Sequence, residues 1–69
     1  MKITYDKEAD AMYIEFSSEK FASDKKLDNN TIIDLDKNGN IIGIELLSVS
    51  KRLPKDFLSD ISVKNLVPL

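Results

Sequence analysis

The sequence predicts a small α+β fold: an antiparallel β-meander of about four strands, followed by one short C-terminal helix. Two strongly apolar segments, residues 31–36 and 41–47, flank Asn38-Gly39, and this dipeptide is the leading signal for a type I′ hairpin turn. Residues 11–16 alternate between apolar and polar positions, which is typical of a half-buried strand. Near the C-terminus, apolar residues recur at four-residue spacing, as on one face of a helix.

The first two predicted strands flank an acidic turn. Residues 3–5 form the first strand, and Asp6 ends it because its carboxylate can accept hydrogen bonds from the backbone N–H groups that follow. Residues 11–16 form the second strand, with Tyr13 on the polar face. A helix over residues 8–13 is the competing interpretation, because alanine and glutamate favour helices. The alternation and the β-prone side chains favour the strand.

The hairpin predicts the register of the central strands. Residues 23–28 form an exposed third strand before it. A two-residue loop at Asn38-Gly39 places three pairs on one face, and five of these six residues are large and apolar: Leu35 opposite Ile42, Ile33 opposite Ile44 and Thr31 opposite Leu46. Because side chains alternate, Asp34, Asp36 and Glu45 are expected on the opposite face as solvated residues.

The C-terminal part is predicted to contain the helix. Residues 48–53 form a turn or a single helical turn, and Pro54 suits the first position of a helix over about residues 54–60. Residues 61–66 form a last short strand or an extended tail, and Pro68 ends regular structure. The predicted core consists of apolar side chains: Ile3, Met12, Ile14, Phe16, Ile33, Leu35, Ile42, Ile44, Leu46, Leu53 and Phe57.

Residues 34–45 also match the calcium-loop pattern of an EF-hand, with oxygen ligands at positions one, three and five, Gly39 at six and Glu45 at twelve. An EF-hand needs a helix before this loop, whereas residues 28–33 are short and poor in helix formers. The hairpin is therefore the favoured interpretation. Weak divalent-cation binding, with calcium as the example, through Asp34, Asp36 and Glu45 is kept as the alternative function.

Composition excludes several classes of function. The 69 residues carry a net charge of -2 and contain no cysteine and no histidine, so disulfides and the commonest zinc ligands are absent. The basic pairs 25–26 and 51–52 are isolated and are expected to be solvated surface, which disfavours nucleic acid as a partner. Apolar stretches are too short for a membrane span, and no signal peptide is recognised. We expect one domain over residues 1–69 that is soluble and cytoplasmic.

No residue is assigned to catalysis, to a cofactor or to a metal. Asp6, Glu8 and Asp10 place three carboxylates within five residues, but no base or nucleophile can be paired with them. We expect them to form a charged turn, and Ser48 and Ser50 to cap backbone groups. The prediction is a non-enzymatic protein that has no cofactor and no identified small-molecule substrate.

Two segments resemble the family of small prokaryotic proteins called domain of unknown function (DUF) 2283. The first is Tyr5-Asp6-x-Glu8-Ala9-Asp10-Ala11-Met12-Tyr13-Ile14, and the second runs from residue 33 to residue 53. The resemblance implies a compact, mostly antiparallel sheet with a short helix, and an acidic hairpin in place of a calcium site. It brings no catalytic residues. Some members look like neighbours of small toxin-like proteins, which suggests an antitoxin-like or partner-binding role.

The function predicted from these observations is a small protein–protein interaction domain, with a homodimer as the expected assembly. A chain of 69 residues has a core near the lower size limit for independent folding. The edges of its predicted sheet also need covering. A partner protein or a second copy of the chain would meet both needs.

Overall fold

The computed structural model describes residues 1–57 and the backbone of residues 66–68. The described strands are β1 Lys2–Asp6, β2 Ala11–Glu15, β3 Ser23–Asp28, β4 Thr31–Leu35, β5 Ile41–Leu46 and β6 Leu66–Pro68. They form one sheet in the order β3-β4-β5-β2-β1-β6, in which β6 alone pairs parallel to its neighbour. The short helix α1 is Val49–Arg52, and residues 55–57 are also helical.

The antiparallel sheet with short helical segments is confirmed, but it has more strands than the four or so predicted, and their order differs from that of a simple meander. β1 and β2 are neighbours, and so are β3, β4 and β5, but β2 lies next to β5 and not next to β3. The chain must therefore cross from the sheet centre to its edge between β2 and β3. Such a non-local pairing leaves no signal in the turn residues.

The C-terminal predictions have mixed outcomes. The helical turn after residue 48 and the exposed strand over residues 23–28 are confirmed. Residues 55–57 are helical as predicted, whereas Pro54, predicted as the first helical position, is not helical; residues 58–60 and 61–65 lie outside the described residues. Pro68 is the last residue of β6, and Leu69 lies outside the described residues, so the end of regular structure at Pro68 stays a prediction.

The hairpin between β4 and β5 forms with a different loop from the one predicted. Ile33 pairs with Ile44 as expected, but Leu35 pairs with Ile41, one residue away from the predicted partner. The Asp36 N–H donates to the Asn40 carbonyl at 3.0 Å, so the loop has three residues, and its Gly39 has φ 83°. A type I turn followed by a left-handed glycine is the usual three-residue hairpin, and it inserts one extra residue into a strand.

The core lies between one face of the sheet and α1. Val49 has no exposed surface and packs against Ile3 (5% exposed) and Met12 (2% exposed). The half-buried side chains around them are Tyr5, Ile14, Leu46 and Leu53. Val49 is absent from the predicted core. Phe16 and Phe57 were predicted there wrongly, since 49% and 42% of their surfaces are exposed.

Candidate binding surfaces

The sheet face opposite α1 gathers acidic side chains from four strands. Asp24 on β3 pairs with Asp34 on β4, Asp34 pairs with Gly43 on β5, and Gly43 pairs with Glu15 on β2. Glu45 lies two residues beyond Gly43 and therefore points to the same side of the sheet. We call Glu15, Asp24, Asp34 and Glu45 the acidic patch.

Tyr13 crosses the middle of the acidic patch, and Gly43 makes room for it. A methyl group on Gly43 would overlap the Tyr13 hydroxyl and lie 2.8 Å from its Cε1 atom. Glycine at this position therefore lets the ring pass from β2 over β5 towards Asp34. Burial, followed by the Asp34 carboxylate, raises the pKa of the Tyr13 hydroxyl above its ordinary value.

Asp34 is buried, which contradicts the prediction that it is solvated. It is 8% exposed, and its Oδ1 atom has no hydrogen-bond partner among the residues that the structure describes. A buried acceptor without a donor is destabilising by about 1–3 kcal/mol. Burial, then Asp34 and then Asp24, raise the pKa of Glu45. The acidic patch thus carries negative charge that its own surroundings compensate poorly.

The predicted cation ligands are only partly brought together. Asp34 and Glu45 share the acidic patch, but Asp36 lies in the hairpin loop, where it accepts hydrogen bonds from the backbone N–H groups of Asn38 and Asn40, both at 2.9 Å. The bond from Asn40 is the main reason that the pKa of Asp36 lies below its ordinary value. Within residues 1–57, no three acidic side chains are placed to hold one metal ion.

The acidic turn between β1 and β2 has a structural role. Asp6 caps the turn as predicted, accepting hydrogen bonds from the Glu8 and Ala9 N–H groups at 3.1 and 3.2 Å. Asp10, with φ 53°, accepts hydrogen bonds from the Ser50 N–H at 3.0 Å and the Ser50 hydroxyl at 2.7 Å. It also accepts one from the Tyr5 hydroxyl at 3.0 Å. Asp10 therefore caps α1 from forty residues away along the chain.

The predicted serine caps are wrong. Ser48 makes no capping hydrogen bond with its side chain, and Ser50 donates to Asp10. Arg52, expected to be solvated, donates from Nη1 to the Asn30 carbonyl at 2.6 Å and from Nη2 to the Thr31 hydroxyl at 2.9 Å. Together with the contacts of Asp10, these bonds hold α1 against the β1–β2 turn and the β3–β4 turn. Such long-range contacts cannot be read from residue spacing.

Asp10→Asn is expected to make stability less dependent on pH in the acid range. Ser50 holds the pKa of Asp10 below its ordinary value of 3.8, chiefly through the side-chain hydrogen bond. The unfolded chain therefore takes up this proton first as pH falls, and the associated stability is lost as pH falls through the folded pKa. Urea unfolding between about pH 7 and pH 3 measures the dependence.

For Asp10→Asn, the change in the free energy of unfolding per pH unit should become smaller without vanishing, because the pKa values of Asp28 and Asp36 are lowered too. Glu19→Gln, which removes an exposed carboxylate outside the Asp10 network, is the matched control. An Asp10→Asn profile identical to that of the control would contradict the assigned role.

A second surface lies at the end of the sheet farthest from α1. Phe16, Phe21 and Ile41 are 49%, 54% and 50% exposed. The Phe16 N–H donates to the Ile42 carbonyl, and the Ala22 N–H donates to the Leu35 carbonyl, both at 2.9 Å. Leu35 pairs with Ile41, so the three exposed residues attach to neighbouring backbone positions. We call Phe16, Phe21 and Ile41 the end patch.

The end patch was not predicted from the sequence. Phe16 was expected in the core, and Phe21 was given no role. The available signal was an aromatic residue at position 21 in a segment without apolar alternation. A depression of about 350 Å³, lined partly by Phe21, Lys20 and Lys37, adjoins it.

The fold and its surfaces define a small sheet-based α+β domain with two candidate binding surfaces and a remotely capped helix. The chain belongs to the family described as protein of unknown function DUF2283, whose family model matches residues 2–50. The residues that form the Asp10 cap and the acidic hairpin fall within this match. Comparison with curated proteins and with solved structures finds no match. Across the described residues, no helix is long and apolar enough to span a membrane.

Proposed function

We propose that the protein is a small non-enzymatic interaction domain that forms a homodimer through the end patch. The observation that carries this proposal is the clustering of Phe16, Phe21 and Ile41, each about half exposed, on adjacent backbone positions. Burying such side chains against a partner removes apolar area from water. A second copy presents the same patch and therefore forms a closed, two-fold assembly.

The edges of the described sheet support association through side chains over association through strand pairing. The edge strand β3 carries Lys25 and Lys26, and its register shifts between Lys26 and Asp28. At the other edge, β6 contains Pro68, which has no N–H to donate. Lysines, bulges and prolines on edge strands are devices that discourage edge-to-edge pairing.

The acidic turn between β1 and β2 also fits a non-enzymatic role. Its Asp6 and Asp10 carboxylates serve as hydrogen-bond acceptors for backbone N–H groups. The antitoxin-like role that the family resemblance suggests remains a prediction, as does a cytoplasmic location.

The test is the molar mass in solution of matched variants. Size-exclusion chromatography with light scattering at micromolar protein should give a dimer for the wild type and a monomer for the double variant Phe16→Ser, Ile41→Thr. Leu27→Ser removes a 56% exposed apolar side chain from β3 and should leave the dimer intact. A wild-type protein that is strictly monomeric, or a control that dissociates equally, would refute dimerisation through this patch.

Weak divalent-cation binding is the alternative proposal, and the unpartnered Oδ1 atom of Asp34 supports it. Glu45 lies nearby, whereas Asp36 is already used by the hairpin loop. Calorimetry with calcium and with magnesium at millimolar concentration tests it. The absence of both a heat of binding and a rise in melting temperature would refute it.

A further inference from the structure

The acidic patch spreads its charges over the sheet without focusing them on one point. Asp24, Asp34 and Glu15 stand in one row across four strands, which at about 4.8 Å between strands spans roughly 14 Å. Glu45 lies in the next row, opposite Tyr13. No three acidic groups in the described part of the chain converge as ion ligands. This spacing suits a ligand with several positive groups better than it suits a single ion.

A depression beside the patch has the size and lining for one long cationic side chain. It measures about 190 Å³ and is lined by Asp6, Ala11, Met12, Tyr13, Glu45 and Leu47. Ala11 and Leu47 can contact the methylene groups of an arginine, while Glu45 faces its guanidinium. The Tyr13 ring adds an aromatic surface, on which guanidinium groups stack.

The charges around the patch leave it negative. Lys2 faces Glu15 from β1, at one end of the row, and Lys26 lies on β3 at the edge of the next row, which contains Glu45. At the centre of the patch, Asp34 is buried, and its Oδ1 atom lacks a donor. A buried carboxylate is poorly screened by water, so it makes the electrostatic potential that an approaching cation experiences more negative.

We propose that the acidic patch docks a basic, arginine-bearing segment of a partner protein, with one arginine side chain in the depression between Tyr13 and Glu45. This surface is separate from the end patch, and its use does not depend on dimerisation. Nucleic acid is disfavoured as an occupant by the sign of the charge, and a bare apolar helix is disfavoured by the row of carboxylates.

The experiment is calorimetric titration with an acetylated, amidated peptide of alternating arginine and serine residues, at low and at near-physiological ionic strength. The proteins compared are the wild type, Glu45→Gln, Asp34→Asn and the control Glu19→Gln. The first two single variants remove one charge from the patch, and the control removes the same charge from an exposed turn outside it. Melting curves check that each variant folds. If Asp34→Asn fails to fold, the comparison of Glu45→Gln with the wild type and with Glu19→Gln is sufficient for the test.

We expect saturable binding that Glu45→Gln weakens by about tenfold and that Glu19→Gln changes by less than about twofold. The end-patch variant Phe16→Ser, Ile41→Thr should bind the peptide like the wild type, which separates failure here from failure of the dimer. Equal weakening in Glu45→Gln and Glu19→Gln means that only net charge is sensed and overturns the proposal. So does absence of binding by the wild type, or displacement of the peptide by millimolar calcium or magnesium that binds saturably.

Discussion

Met12→Ala is expected to lower the free energy of unfolding by about 2–5 kcal/mol. Met12 is 2% exposed and lies on β2 between Tyr5 of β1 and Leu46 of β5. Val49 of α1 covers it from above the sheet. Truncation leaves a cavity where sheet and helix meet, and close-packed surroundings relax into such a cavity only in part.

The consequence is large because the domain is small. A chain of 69 residues has a total stability of roughly 3–10 kcal/mol, so Met12→Ala should remove a large share of it. Urea unfolding followed by circular dichroism measures the change. Leu27→Ala, on exposed β3, is the control and should shift stability by less than about 0.5 kcal/mol. A Met12→Ala midpoint equal to that of the control would show that α1 does not cover Met12.

Gly43→Ala is expected to destabilise the protein by about 1–3 kcal/mol. The new methyl group would overlap the Tyr13 hydroxyl, so the ring must leave its place over β5. Its displacement also exposes the region around Asp34, which is 8% accessible in the native arrangement. Strand propensity alone predicts that Gly43→Ala stabilises the protein, because alanine disfavours an extended strand less than glycine does.

A double-mutant cycle with Tyr13→Ser isolates this contact. Without the ring, Gly43→Ala should be neutral or slightly stabilising, which gives a coupling energy of at least about 1 kcal/mol. Urea unfolding of the four proteins supplies the cycle. If Gly43→Ala has the same effect with and without the Tyr13 ring, then the glycine is required for a reason other than this close approach.

Local sequence predicts those features that depend on neighbouring residues. The alternation in β2, β4 and β5 predicts their strand character and most of their register, because a slip of one residue would turn every apolar side chain to the other face. Asn38-Gly39 predicts a turn at the right place. The loop length was wrong because the Asp36 carboxylate binds the N–H groups of Asn38 and Asn40, which stabilises a longer loop than the dipeptide suggests.

The candidate surfaces are less predictable than the strands. Glu45 and Asp34 were recognised as acids on one face of the hairpin. The burial of Asp34, however, arises from Tyr13, which lies on another strand about twenty residues earlier in the chain. The end patch was missed because Phe16 follows the last residue of β2 and lies beyond the reach of α1. Exposure at that end depends on where the short helix docks.

The sequence by itself determined the antiparallel hairpin, the turn capped by Asp6 and the family to which the chain belongs. These are properties of adjacent residues: side-chain alternation, turn chemistry and two contiguous signatures. The tertiary structure alone decided the strand order, the capping of α1 by Asp10 and the charge environment of the acidic patch. Each of these brings together groups far apart in the chain, and their contacts exist only once β2 has paired with β5.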